Sequence, residues 1–416
     1  MIIDYLKSYE YRLFFLVCFT TVGLVTSKSV MSIGVVAMFT NLLLDFALYP
    51  KNTKKLIPNF IKQKSLFFLS FIFFTSLIAL VYSKNTAVGF QFVLNKLPFL
   101  VVPLAFSHIK SISKKQFHFL LAFFVATIFI SALFVFFNYI QNYETLNISI
   151  KKGQAIWVPF NHIRYSVMLV FAFCAACFLA FSYKNKQLFY FIASVFIAAF
   201  LFGLIHLLSV RSGIIALYLS LFIALGFYIY STKKYYLVFV GLTLIIALPM
   251  LAYQFIPSFK NKIAYTKYDW EQFQTKNIGS NSDSRRLISY QAGFSLVKQN
   301  MPLGLGTGSL QDFMNLYYAE HYPNMLAQDR IAPHNQFLFT LLDCGVLGFL
   351  ALLLALFYPV FSLKNKSKHL LYILFWIIAF TPLIYDISLE RQLGITYFVL
   401  FSSLFLKRIL LEAEQD

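Results

Sequence analysis

The sequence predicts an all-α integral membrane protein with about 12 transmembrane helices. Three observations carry that expectation. The 416 residues are 59% hydrophobic and 12% charged, with a mean hydropathy of +0.71, whereas soluble domains carry roughly 25% charged residues. A helix needs about 20 apolar residues to cross the hydrocarbon, and such runs recur along the chain. The runs are continuously apolar, without period-two alternation. Lipid offers no partner to the backbone, so helices are favoured over a barrel.

In order, the first span covers roughly Leu13 to Thr26 and the second Val30 to Tyr49, separated by Ser27-Lys28-Ser29. A loop with Lys51, Lys54, Lys55, Lys62 and Lys64 leads to the third, Ser65 to Tyr82. The fourth, Val88 to Phe106, is interrupted by Lys96, Pro98 and Pro103. After Lys110, Lys114 and Lys115 comes the fifth, Phe117 to Ile140. A longer polar segment, Gln141 to Arg164, precedes the sixth, Tyr165 to Phe181. Leu188 to Val210 and Ile214 to Tyr230 are the seventh and eighth, with a tight Arg211-Ser212-Gly213 break between them. Tyr236 to Tyr253 is the ninth. The long polar segment Gln254 to Pro333 follows, then Phe337 to Phe361, Leu370 to Tyr385 and Leu393 to Leu406. The chain is thus read as residues 1-253 with nine helices, 254-335 as a loop domain, and 336-416 with three helices and a tail.

The net charge of +19 does not point to nucleic acid. Most lysines sit in short loops between spans, and the positive-inside rule puts all these loops on one side when both termini are cytoplasmic. Six of the eight arginines (Arg164, Arg211, Arg285, Arg286, Arg330, Arg391) then fall on the outer side or its edge. Topology does not distinguish Lys from Arg, so the sorting asks for another cause. Guanidinium forks bind phosphate bidentately and stay charged where water is scarce. The competing reading is ordinary ion pairing with Asp269, Asp283, Asp329 or Glu390. Cys18, Cys174, Cys177 and Cys344 lie in or beside apolar spans and read as core packing.

Arg211 is the sharpest single position, because charge held at a membrane break is costly unless partnered or wetted. In the long outer segment a helix is expected from about Ser284 to Gln299, with Arg286, Tyr290 and Phe294 on one stripe. The Pro302-Leu-Gly-Leu-Gly-Thr-Gly308 run is neither a Walker loop nor a dinucleotide fingerprint. Gly304, Gly306 and Gly308 read as a tight turn that could also offer N–H groups to an anion. His334 stands at the mouth of the tenth span, followed by Asn335. It either caps that helix or acts as a neutral base toward an acceptor hydroxyl. His162 and Arg164 mark the entry of the sixth span and are candidates for the same outer cavity; His321 is a further candidate imidazole. Asp343 lies about 13 Å along the helix from His334, too far to orient it. No metal-ligand motif stands out, which favours metal-free chemistry and no cofactor.

These residues resemble the O-antigen ligase and polymerase superfamily of bacterial envelope enzymes. The matching pieces, in order, are Ser209-Val-Arg-Ser-Gly213, Arg286-Leu-Ile-Ser-Tyr290, the Pro302–Gly308 turn, Ala332-Pro-His-Asn335 and Asp343-x-Gly-x-x-Gly348. Tyr290 departs from the Trp found in many members. The resemblance implies a GT-C-like fold with a large periplasmic loop between helices 9 and 10. It implies a metal-independent, inverting glycosyltransferase in the bacterial inner membrane. The implied donor is a glycan on undecaprenyl diphosphate, and the acceptor is lipid A-core or another glycan. Arg211 and Arg286 would bind the diphosphate, and His334 would position or deprotonate the acceptor. Arg285, Arg164, His162, Arg330, Gly304, Gly306, Asn335 and Tyr290 would line the substrate site. A polymerase, a protein O-oligosaccharyltransferase and, in a different class, a lipid-linked glycan flippase are the alternatives. The few embedded charges (Asp45, Lys96, Asp343) speak against a charged path through the membrane.

Overall fold

The computed structural model describes residues 8–151, 154–185, 187–274 and 282–414. Among them the regular structure is helical, with no strand. The first part of the chain forms α1 (Tyr9–Thr26), α2 (Lys28–Leu48), α3 (Thr53–Lys62), α4 (Lys64–Leu69), α5 (Phe71–Leu80), α6 (Thr86–Lys96) and α7 (Pro98–Ser107). Next come α8 (Lys114–Gln141), α9 (Tyr143–Lys151), α10 (His162–Tyr183), α11 (Leu188–Leu208), α12 (Arg211–Thr232), α13 (Leu237–Phe255) and α14 (Pro257–Gln274). The last are α15 (Ser282–Asn300), α16 (Leu310–His321), α17 (Gln336–Phe361), α18 (Leu370–Phe380) and α19 (Gln392–Ala413).

Eleven of the described spans are long and apolar enough to cross a membrane. A twelfth candidate, Lys54–Lys62 with Lys64–Leu80, is bent by 88°. The protein is an all-α multi-pass membrane protein; the expected third span, Ser65 to Tyr82, corresponds to the second limb of this bent pair, and the first limb falls in the expected lysine-rich loop. The helix expected at Ser284 to Gln299 is α15, two residues longer at its start and one at its end. Residues 275–281 of the long polar segment lie outside the described residues.

The chain forms two compact units. The first comprises residues 1–112, 271–363 and 383–416, and the second residues 113–270 and 364–382. In the first, α19 is the central helix, 83% buried, packed on α7, α4 and α2. In the second, α10 has that place, 78% buried among α8, α11, α12 and α18. Helix starts are fixed by side chains that take up otherwise unpaired N–H groups. Ser113 and Gln116 form a reciprocal capping box on α8, Asn161 accepts from Ile163 and Arg164, and Asn335 accepts from Leu338.

The tenth span is not the uninterrupted helix that its apolar run suggests. Gly345 has φ 66° and breaks α17. In a regular helix the Val346 N–H would bond the Leu342 carbonyl. Here the glycine turn inserts between them. Leu305 N–H donates to Leu342 O at 2.7 Å, and Val346 N–H donates to Pro302 O at 2.9 Å. One helical bond is exchanged for two, which sets the kink. A Cβ on Gly345 would lie 2.3 Å from Pro302 O, so only glycine fits this crossing.

Candidate active site

Within the first unit, α15, α16 and the start of α17 share one small core. The buried faces repeat at four-residue steps: Ile288, Ala292 and Leu296 on α15, and Leu310, Met314 and Tyr318 on α16. They close on Leu338, Phe339 and Leu342 of α17 and on Ile387 from the turn before α19. Burial pushes the Tyr318 phenol well above its usual range, so it stays a neutral donor to Ile331 O at 2.9 Å.

This core brings α15 against the residues before α17. Gly293 makes the approach close, since a Cβ there would lie 2.9 Å from Pro333. Tyr290 then donates its hydroxyl to the His334 carbonyl at 2.8 Å. Arg286 stands one turn earlier on the same helix, about 6 Å along its axis, and is half-buried. The polar segment therefore folds back onto the mouth of α17, placing the helix of Arg286 and Tyr290 against Pro333 and His334.

His334 does not cap α17. Asn335 does, accepting from Leu338 N–H at 2.9 Å while its amide donates to Ile384 O at 2.8 Å. The His334 imidazole, 29% exposed, instead has Nδ1 3.7 Å from Asp386 Oδ1. That is ion-pair range, longer than a direct hydrogen bond. Asp386 is itself buried and fixed by Ser388, whose hydroxyl donates to Oδ2 at 2.7 Å. Sequence reading missed Asp386, which sits far downstream in a short turn between two spans. A signal existed, because two acids in a turn on the same side as His334 are unusual in so apolar a region.

The turn carrying Asp386 is locked from several sides. Gln336 accepts from Leu389 N–H at 2.9 Å and donates to Glu390 Oε1 at 2.8 Å. Lys96 Nζ lies 2.9 Å from Glu390 Oε2 and 4.0 Å from Asp343 Oδ2. Asp343 Oδ1 accepts from Gly308 N–H at 3.1 Å. Two carboxylates thus face one ammonium. Burial pushes the Glu390 carboxyl above its ordinary range, with Lys96 and Gln336 opposing that rise.

The remaining expected residues take varied places. Arg285 Nη1 donates to Asp329 at 2.9 Å, which is the ion pair set against phosphate binding in the sequence reading. Glu390 pairs with Lys96, and the side chains of Asp269 and Asp283 lie outside the described residues. Arg330 donates through Nε to Met325 O at 3.1 Å, and its carbonyl accepts from Gln311. Gly304 N–H donates to Asn300 O at 2.9 Å, and Gly306 packs on Ser83, where a Cβ would lie 2.7 Å away. His321 stacks on Tyr317 at the end of α16.

His162, Arg164 and Arg211 belong to the second unit. His162 and Arg164 open α10, and Arg211 opens α12. The two starts pack together: Ser166 Oγ lies 3.4 Å from Ser212 Oγ, and a Cβ on Gly213 would lie 2.7 Å from Ser166 Cβ. Ser209, left-handed at φ 52°, ends α11 and turns the chain into α12. His206 is engaged inside this unit, 2.8 Å from the Tyr218 hydroxyl.

The first unit thus offers a half-exposed imidazole with a buried carboxylate behind it and an arginine on the neighbouring helix. Such a set can accept a proton and hold an anion. The family model described as O-antigen ligase matches residues 195–353, a range that includes Arg211, Arg286 and His334. No curated protein matches the chain. Over residues 195–353 the chain is thus similar to the O-antigen ligase family.

Proposed function

We propose that this protein is a ligase-type glycosyltransferase. It moves a glycan from undecaprenyl diphosphate to a lipid A-core acceptor, at the periplasmic face of the bacterial inner membrane, without a metal and with inversion. The observation that carries this reading is His334, held by Tyr290 of the Arg286 helix and backed by Asp386.

In this reading an acceptor hydroxyl loses its proton to His334 as its oxygen attacks the anomeric carbon. The carbon–oxygen bond to the diphosphate breaks, and undecaprenyl diphosphate leaves with the electron pair. Arg286 binds the diphosphate as its negative charge grows. Asp386 beside Nδ1 stabilises the imidazolium that forms.

The test replaces Arg211, Arg286 and His334 singly with Ala. The expected loss of transfer is on the order of 10²–10³ in rate for each, with lipid-linked glycan accumulating unspent. Normal transfer to lipid A in all three variants would sink the assignment. Change in chain length alone would mean a polymerase, glycan on protein an O-oligosaccharyltransferase, and donor trapped on the cytoplasmic face a flippase.

A further inference from the structure

We infer that Lys96 is a positioning residue for the His334 site, acting through Glu390 and Gln336 to hold the Asp386 turn in place. This rests on the transferase reading above.

Lys96, Asp343 and Glu390 are each at most 2% exposed. Lys96 ends α6, at the break before Pro98 inside a membrane span. Burying three ionisable groups there is costly unless each meets partners of fitted geometry. The partners come from separate elements. Lys96 reaches Ser76 on α5 at 3.0 Å, Glu390 in the turn at 2.9 Å and Asp343 at the α17 break at 4.0 Å. Glu390 passes the restraint to Gln336, two residues after His334, and Gln336 returns it to Leu389 N–H. Asn335 adds a bond to Ile384 O. Residues 335 and 336 therefore grip both ends of the segment that holds Asp386. Only Lys96 neutralises Glu390 among the ion pairs of the described residues. Without it the carboxylate would have to protonate or move toward water, and its movement would take the turn along.

A purely structural ion pair predicts that loss of Lys96 costs stability and nothing specific at His334. The positioning role predicts more. Lys96→Met in the full-length reconstituted protein is expected to lower kcat on the order of 10–10²-fold, as misplacement of a catalytic group does, with KM for the lipid-linked donor unchanged. Lys96→Met/Glu390→Gln restores charge balance and keeps an acceptor for Gln336, so it is expected to recover most of the rate. A second readout needs no turnover: diethyl pyrocarbonate modification of His334, followed by peptide mass spectrometry. It is expected to change several-fold in Lys96→Met, to return in the double variant, and to stay constant at His321. If the wild type transfers glycan but the double variant stays as slow as Lys96→Met while folded, the inference is overturned. It is also overturned if His334 reactivity is the same in all three proteins. Absence of transfer by the wild type would instead break the transferase reading, and the modification rates alone would then decide the role of Lys96.

Discussion

The two compact units bury different kinds of polar group. In the first, Asp45, Lys96, Asp343, Asp386, Glu390 and Lys407 are buried. In the second, the buried polar side chains among the described residues are hydroxyls and two imidazoles, such as Ser131, Ser166, Ser220 and His206. A hydroxyl can be satisfied within its own helix, as Ser220 is by Ala216 O. Such a bond asks nothing of its neighbours. A buried charge must find its counterpart on another element, so it fixes how elements register. The first unit therefore has its geometry specified by charge where the second relies on packing. Glu390→Ala is the strongest way to break that contrast. Stripping Lys96 of its nearest carboxylate is expected to cost roughly 3–5 kcal/mol, against about 1 kcal/mol or less for Ser220→Ala. Thermal denaturation in detergent compares the two, and equal shifts would remove the distinction.

Asp386→Asn tests the chemistry with less disturbance. Asn keeps the size and an acceptor for Ser388 but removes the charge near His334 Nδ1. Transfer is expected to slow by on the order of 10–10²-fold, with a melting temperature near that of the wild type. The matched change in the second unit, Ser212→Ala, is expected to leave the rate within about twofold, since its hydroxyl is a neutral contact. A steady-state comparison of the two variants decides it, and a larger effect at Ser212 would relocate the sensitive region to the Arg211 break.

Glycine sharpens the comparison further. At Gly345 a side chain would meet Pro302 O at 2.3 Å and require φ 66°. Gly345→Ala is expected to destabilise by roughly 1–3 kcal/mol, by expelling the turn from the α17 break. Gly226 on α12 has nothing within 4 Å of an added Cβ. Gly226→Ala is expected to be neutral or stabilising, by up to about 1 kcal/mol. Paired melting curves in one detergent measure both signs.

Much of this was legible in the sequence because its causes are local. Apolar run length sets the spans, and α15 was expected close to its observed bounds, although its packed face is Ile288, Ala292 and Leu296 rather than the stripe ending at Phe294, which is exposed. The glycine run read correctly as a turn. Its insertion into α17 was not legible, because the apolar pattern runs through Gly345 without a break and the inserting carbonyl of Pro302 belongs to a distant segment. The Asp386 turn escaped for the same reason. Its two acids, Asp386 and Glu390, were a signal, but their role shows only when Asn335 and Gln336 are seen gripping the ends of the turn. Lys96 and Asp343 were noticed as embedded charges, but pairing across α6, α17 and the last turn is a tertiary fact.

Tyr290 is where local and tertiary causes meet, and it gives the smallest expected effect. Its ring covers the small core of the first unit, and its hydroxyl donates to the His334 carbonyl. The Trp found at this place in many superfamily members also carries a donor at the far side of its ring, and Trp donates without accepting. The donor, rather than the phenol, is then the feature that matters. Tyr290→Phe keeps the packing and leaves a carbonyl short of one partner, a loss of about 1 kcal/mol. Tyr290→Trp supplies N–H in place of O–H and is expected to hold His334 as the native residue does. The measurement is the His334 modification rate alongside the melting temperature. Phe should raise the rate modestly with a small drop in stability, and Trp should move neither. If Phe and Trp behave alike, the hydroxyl bond is incidental, and α15 holds His334 through Gly293 and Pro333 packing alone.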